Sequence, residues 1–232
     1  MPIGKIRVGK YDWKKKNEPS TPGYSNILIH TTGELSPYVM KDKNGIIMEN
    51  WWQFSKVFPK VNEQKQPISR YHPKIIRWKH PKEIHYDNTI LTPEYWKWRD
   101  KGLHHNLWVR YPNGYSLHGT SIGSVIGTAS DYEIVDYVEA RKKIYYPKYR
   151  EIALETNLYK ELKAALENGE NIQINEVDGP SYDLEYPYSL VKNSSLEMTQ
   201  EIIDTLINDP KYSFGHGYCL AQILLDVEHK FA

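Results

Sequence analysis

The chain has 232 residues, and thirty basic against twenty-nine acidic side chains leave a net charge of +1, so no global field attracts nucleic acid or an anionic membrane. Such a length buries a sizeable core, and one domain spanning 1–232 is expected. Cys219 is the only cysteine, which excludes an intramolecular disulfide and a thiolate zinc cluster and fits a reducing, cytoplasmic location. The start of the chain, Met1-Pro2-Ile3-Gly4-Lys5-Ile6-Arg7, holds no signal-like apolar run, and no stretch of membrane-spanning length occurs anywhere, so no membrane partner is expected.

In chain order, Asn26 to His30 reads as a short strand and Tyr38 to Lys41 as a second, leading into a turn at Asp42-Lys43-Asn44-Gly45. Ile46 to Met48 follows, and then a helix from Glu49 to Val57 that Pro59 ends. From about 60 to 127 the chain is rich in Pro, His, Trp and Asn and reads as a long irregular insertion, with a helix starting at Pro93 and a turn at Asn113-Gly114. Ser130 is placed as the N-cap of a helix reaching Lys143, and Pro147 as the start of another over 148–156. A helix over 158–168 closes at Gly169, and Ile172 to Val177 alternates like a strand up to Asp178-Gly179-Pro180. Ser195 is read as the cap of a helix over 196–207, and a last apolar helix runs from Tyr218 to about His229. The fold class that follows is α+β, mainly helical with a small sheet.

Four groups of residues suggest chemistry. Glu49, Gln53 and Lys56 recur at a spacing that stacks them on one helix face at roughly 3.6 residues per turn, with Trp52 beside them. A carboxyl group among aromatic rings suits general acid/base work, Gln53 can orient a substrate amide or hydroxyl, and Lys56 is either a phosphate ligand or an amine nucleophile. The same pattern also describes a solvated outer face. Glu176 and Asp178, at i and i+2, form a carboxylate pair of the kind that stabilises an oxocarbenium-like transition state, or else a plain Asp-Gly turn behind a solvent-facing Glu. Gly215, Gly217 and Tyr218 lie where the last helix begins and offer backbone amides to a phosphate, although such glycines are common in loops. Arg99 follows Trp98 and Arg110 follows Trp108, and an arginine beside a ring can clamp a phosphate while the ring stacks on a base; surface packing produces the same string. Nineteen tyrosines and seven tryptophans against four phenylalanines suit half-wet pockets of this sort. Nine scattered histidines without an HExxH spacing require no metal, and no cofactor is expected.

In order, these pieces resemble the NADAR superfamily, the YbiA-like N-glycosidases. The family pattern L/F-S-N/P-F/Y, then D-G, then E-x-x-x-Q-x-x-K is matched by Leu35-Ser36-Pro37-Tyr38, by Asn44-Gly45, and by Glu49, Gln53 and Lys56. Its helix pair is similar to Tyr149-Arg150-Glu151-Ile152-Ala153-Leu154 and Asn157-Leu158-Tyr159-Lys160-Glu161-Leu162, its acidic strand to Ile174-Asn175-Glu176-Val177-Asp178, and its closing helix to Gly217 through Leu225. The likeness covers about 24–58 and 145–230, while 60–127 has no counterpart. Glu49-Asn50-Trp51 stands where the family has Glu-His-Tyr, and Gly179-Pro180 where it has Trp-Gly.

The resemblance implies a NADAR-like domain that hydrolyses an N-glycosidic bond between ribose and a nucleobase-like group. The substrate would be ADP-ribosylated guanine in nucleic acid, or a phosphorylated nucleotide or riboflavin-pathway intermediate. Glu49, Lys56 and Asp178 would be catalytic, and Ser36, Tyr38, Trp52, Gln53, Arg99, Arg110, Glu176, Gly215, Gly217 and Tyr218 would bind the substrate. Two alternatives remain: a non-catalytic nucleotide or ADP-ribose binding protein, and an ADP-ribosyltransferase built on the string His30-Thr31-Thr32-Gly33-Glu34. Oligomeric state is not legible.

Overall fold

The structure, a computed structural model, describes residues 3–12, 14, 16, 18–29, 33–58, 66–69, 72–76, 85–87, 90–110, 121–180 and 195–225. The described elements run β1 (Ile6–Lys10), β2 (Ser25–Leu28), α1 (Met48–Ser55), β3 (Lys56–Val57), β4 (Gln66–Ser69), β5 (His72–Ile76), β6 (Tyr86–Asp87), β7 (Ile90–Leu91) and α2 (Pro93–Leu103). There follow β8 (Gly123–Thr128), β9 (Asp131–Val135), α3 (Tyr137–Ala140), a π-helical turn (Arg141–Tyr145), α4 (Tyr146–Ala153), α5 (Asn157–Glu167), β10 (Ile172–Glu176), β11 (Ser195–Glu197), α6 (Gln200–Asn208) and α7 (His216–Leu224). The class is mixed α+β with small sheets. The chain divides into two compact units, Met1–Ser36 with Tyr146–Ala232, and Pro37–Tyr145. They are called the first and second unit below.

The first unit is built on a sheet in the order β11-β1-β10-β2. β10 pairs in parallel with both β1 and β2, and β11 lies antiparallel on the outer side of β1. With a neighbour on each side and both faces covered, every residue of β10 is buried. Alternation puts Ile172, Ile174 and Glu176 on one face and Gln173 and Asn175 on the other. Both of those amides donate to the Pro19 carbonyl, so polar contacts with the 18–21 segment lie on the second face. α7 packs on β1, β10, α4, α5 and α6, and its residues from Gly217 to Leu224 are all buried.

The second unit packs α1 against α2 and against the antiparallel sheet β3-β8-β9. Its core is aromatic: Phe54, Tyr95 and Trp98 are fully buried, with Phe58, Val57, Leu91, Val109 and Val125 around them. The Phe54 and Trp98 rings lie 4.8 Å apart. Gly102 is required where it stands, because a Cβ there would overlap the Phe54 ring and push α2 off α1.

Several expected elements are corrected. Pro37 to Val39 form a turn rather than a strand, and only Lys41 bridges Ile47, because Asp42 Oδ1 accepts from the Asn44 and Ile46 amides and holds the loop closed. α1 ends at Ser55 rather than Val57, since Lys56 takes extended dihedrals and pairs with Ser124 of β8. Residues 131–135 are a strand, not a helix: Tyr132 and Ile134 pack on the core while Asp131 and Glu133 face water, a period of two. The helix cap is Asp136, whose side chain accepts from the Glu139 amide. Ser195 likewise belongs to a strand, paired with Gly9, and Thr199 caps α6. The last helix begins at His216, two residues early, and its expected end at His229 lies outside the described residues, as do Asn113-Gly114 and Pro59. The strand expected over 26–30 is found over 25–28 and ends at Leu28, with His30 outside the described residues, while the turn at 42–45, the helix at Pro93, α5 with Gly169 at φ +90°, and β10 agree with expectation. Among the described residues no helix is long and apolar enough to cross a membrane.

Candidate functional site

The second unit joins three of the expected residues by hydrogen bonds. Gln53 Nε2 donates to Glu49 Oε1 at 2.8 Å, and Lys56 Nζ donates to Gln53 Oε1 at 3.0 Å. The order is chemically forced: an ammonium can only donate and a carboxylate can accept, so the amide between them must present its oxygen to lysine and its nitrogen to glutamate. Lys56 keeps this contact although it has left the helix, because its side chain reaches back over the last turn of α1. Glu49 and Gln53 are both buried, which excludes the solvated outer face that the same spacing allowed.

Aromatic rings wall this line. Lys56 Nζ sits 5.1 Å from the centre of the Trp52 ring, a cation–π distance. Trp52 in turn meets Tyr145 at 5.1 Å and Tyr137 at 6.1 Å, and Arg141 lies 5.0 Å over Tyr137. The π-helical turn brings Tyr145 into this wall, a use to which such turns are often put at functional sites. Burial lowers the Lys56 pKa from 10.5 to about 8; Glu49 opposes that shift and Arg110 adds to it. An amine so placed is roughly one-tenth unprotonated near pH 7.

Asn50, next to Glu49, is fully buried and was not singled out from the sequence. Its Nδ2 donates to the carbonyls of His105 and Leu107 at 3.3 and 3.2 Å, and its Oδ1 accepts from the Val109 amide at 2.9 Å. All its partners lie more than fifty residues away, so no local pattern could reveal them. The segment it holds carries Trp108, whose ring is 4.5 Å from Tyr38, and Arg110, whose guanidinium is 5.9 Å over Tyr38. Arg99 belongs elsewhere in this unit: Nη1 donates to the Gly127 carbonyl at 3.1 Å, the group stacks 5.4 Å over Trp96, and burial lowers its pKa. It pins the β8–β9 turn.

In the first unit Glu176 is 2 % exposed, which excludes the alternative of a solvent-facing Glu behind a plain Asp-Gly turn. Its Oε2 accepts from the Gly217 amide at 2.6 Å and its Oε1 from the Asp178 amide at 2.9 Å, while His216 Nδ1 stands 3.5 Å from Oε2. The carboxylate is thus the cap of α7. The Gly217 amide expected for a phosphate is already taken by the chain's own anion. The glycines follow from the same packing, for a Cβ on Gly215 or Gly217 would meet Glu176 Oε2 at 2.8 Å. Tyr218 is buried, and its ring packs against Gly179. Asp178 adjoins Lys10, whose Nζ donates to the Val177 and Gly179 carbonyls; burial lowers the Lys10 pKa, and Asp178 and Glu176 oppose the shift. Ser36 is buried, with its amide donating to Gly33. Glu34 caps α5 through the Asn157 and Leu158 amides at 3.0 and 2.9 Å, and His30 to Thr32 lie outside the described residues.

Among the described residues no three His, Cys, Asp or Glu side chains gather as a metal site. Compared with known protein families, with curated proteins and with solved structures, the chain matches none.

Proposed function

We propose that the chain is an N-glycosidase of NADAR-like character, cleaving the bond between a ribose and a nucleobase-like group such as ADP-ribosylated guanine or a phosphorylated nucleotide. The observation that carries the reading is the buried line Glu49, Gln53, Lys56 beside the Trp52 ring. In hydrolysis the C1′–N bond breaks, the leaving nitrogen takes a proton, and water supplies hydroxide to C1′. Glu49 serves as the group that moves that proton. Gln53 fixes the carboxylate through one oxygen, so its direction does not depend on solvent. Lys56 supplies positive charge beside it, or, in its unprotonated fraction, an amine that adds to C1′ of the ring-opened sugar as the C1′–N bond breaks and the leaving nitrogen takes a proton, after which water hydrolyses the imine and frees the lysine. The ordered motifs over 24–58 and 145–230 add support.

Glu49→Gln is the decisive variant, because the new amide oxygen still accepts from Gln53 while the proton-transfer group is gone. Assayed on ADP-ribosylated guanine in DNA and on a ribosylaminopyrimidine phosphate, it should lose about 10²–10⁴ in rate, the usual worth of a general acid/base. Full activity in that variant removes Glu49 from the reaction.

A further inference from the structure

Three rings of the second unit stand in a row from the interior to the surface. Tyr145 is buried, Trp52 half-buried and Tyr137 40 % exposed, and Trp52 meets the other two at 5.1 and 6.1 Å. The row adjoins the Glu49 line, because Lys56 Nζ lies 5.1 Å from the centre of the same Trp52 ring. An exposed tyrosine alone means little, but this one is held in place. Tyr137 is the first residue of α3, directly behind the Asp136 cap, and its carbonyl accepts from the Arg141 amide. The Arg141 side chain returns to the same residue, with its guanidinium 5.0 Å from the ring centre. Arg141 is 1 % exposed, so it lies on the side of the ring turned to the protein, and the exposure of Tyr137 belongs to the opposite face and the edge. A ring fixed in this way loses little freedom when a ligand covers it.

The chemistry of that outer face selects its occupant. A single ring is too small for a protein interface. A guanidinium on the inner side draws π density away from the outer one, which disfavours a second cation or the C–H face of a sugar and favours a flat, electron-rich ring. We infer that Tyr137, backed by Arg141, is a stacking platform for the base of a nucleotide beside the Glu49 line. Neither residue lies in the segments that carry the family likeness, so the platform belongs to this chain's own sequence. That the stacked base is the leaving group rests on the glycosidase reading; the platform itself does not.

The test titrates the full chain calorimetrically with guanosine 5′-monophosphate and with ribose 5-phosphate, which lacks the base. The wild type should hold the nucleotide about tenfold to a hundredfold more tightly than the sugar phosphate, the worth of one stacked base. Tyr137→Phe keeps the ring and should bind the nucleotide like the wild type. Tyr137→Leu keeps apolar bulk over Arg141 but has no π face, so its affinity for the nucleotide should fall to near that for the sugar phosphate, whose own binding stays unchanged. Both changes are at a surface position, and equal urea midpoints verify that both variants fold. Equal affinity of the wild type for the two ligands overturns the platform, as does a Tyr137→Leu chain that binds the nucleotide as well as Tyr137→Phe. A Tyr137→Leu chain that loses both ligands alike gives Tyr137 a structural role and overturns it too. Cleavage enters none of these measurements, so a chain that stacks the nucleotide on Tyr137 yet hydrolyses no N-glycoside keeps the platform and loses the glycosidase.

Discussion

Glu176 in the first unit and Glu49 in the second are both buried carboxylates on sequence motifs of similar promise, and their surroundings differ in kind. Glu176 gives each oxygen to a backbone amide, Asp178 on one side and Gly217 on the other. Glu34, in the same unit, spends both oxygens on the first amides of α5. Backbone amides move only if the fold moves, so these carboxylates hold elements together. Glu49 gives an oxygen to the side-chain amide of Gln53, which is itself held by Lys56. Side chains can exchange partners while the backbone stays in place. A carboxylate bound in that way can be redirected without moving the backbone, and one clamped by amides cannot.

The comparison breaks most readily at the two glutamates themselves. Glu49→Gln should cost about 10²–10⁴ in rate while changing stability by under about 1 kcal/mol, since its partner hydrogen bond survives. Glu176→Ala should do the reverse, lowering the unfolding free energy by about 3 kcal/mol, because it strands a buried amide at the start of α7 and a half-buried one at Asp178. Urea denaturation of both variants beside the rate assay decides the matter. If Glu176→Ala melts like the wild type, Glu176 is no structural cap. Gly217→Ala sharpens the same point from the other side: its Cβ would stand 2.8 Å from Glu176 Oε2, and a loss of about 1–3 kcal/mol is expected from the forced displacement of the carboxylate.

The two carboxylates also differ in how far the sequence reveals them. The 49, 53, 56 spacing is local, and it survives the early end of α1 because the Lys56 side chain spans the missing turn. The line was legible for that reason. Glu176 and Asp178 were equally visible, but their meaning depends on Gly217, forty-one residues on, and only the parallel pairing of β10 within the sheet brings α7 to them. Asn50 was legible only as a departure from a family pattern. Ser195 and Thr199 show the same limit at an element boundary. Both are good caps four residues apart, and the pairing of Ser195 with Gly9 decides which one starts a helix. The 131–135 strand was hidden by a neighbouring Ser130 that looked like a cap, although Tyr132 and Ile134 already carried a period of two.

Lys56 gives a prediction tied to pH. Its pKa is about 8 in the folded chain against 10.5 for an ordinary lysine, so between those values the unfolded chain holds a proton that the folded chain has released. Stability contributed by this group therefore rises with pH through that window, and the burial of its charge is fully felt below about pH 8. Lys56→Met should abolish the rise. Unfolding by urea at pH 7.5, 9 and 10 compares the two chains, and parallel curves would mean that Lys56 titrates as an ordinary surface amine.

The smallest expected effect supplies the scale for the largest structural one. Thr199 caps α6 in the first unit by accepting from the Ile202 amide at 3.3 Å, an ordinary hydroxyl cap at an exposed helix start. Thr199→Ala should cost about 1 kcal/mol. Glu176 performs the same service for α7, but as a buried charge that holds two amides, so the excess of Glu176→Ala over Thr199→Ala measures what charge and burial add to capping. An excess of about 2 kcal/mol keeps Glu176 as a structural anion distinct from Glu49. An excess near zero means that the α7 amides find another partner once Glu176 is gone, and the contrast between the two carboxylates then rests on Glu49 alone.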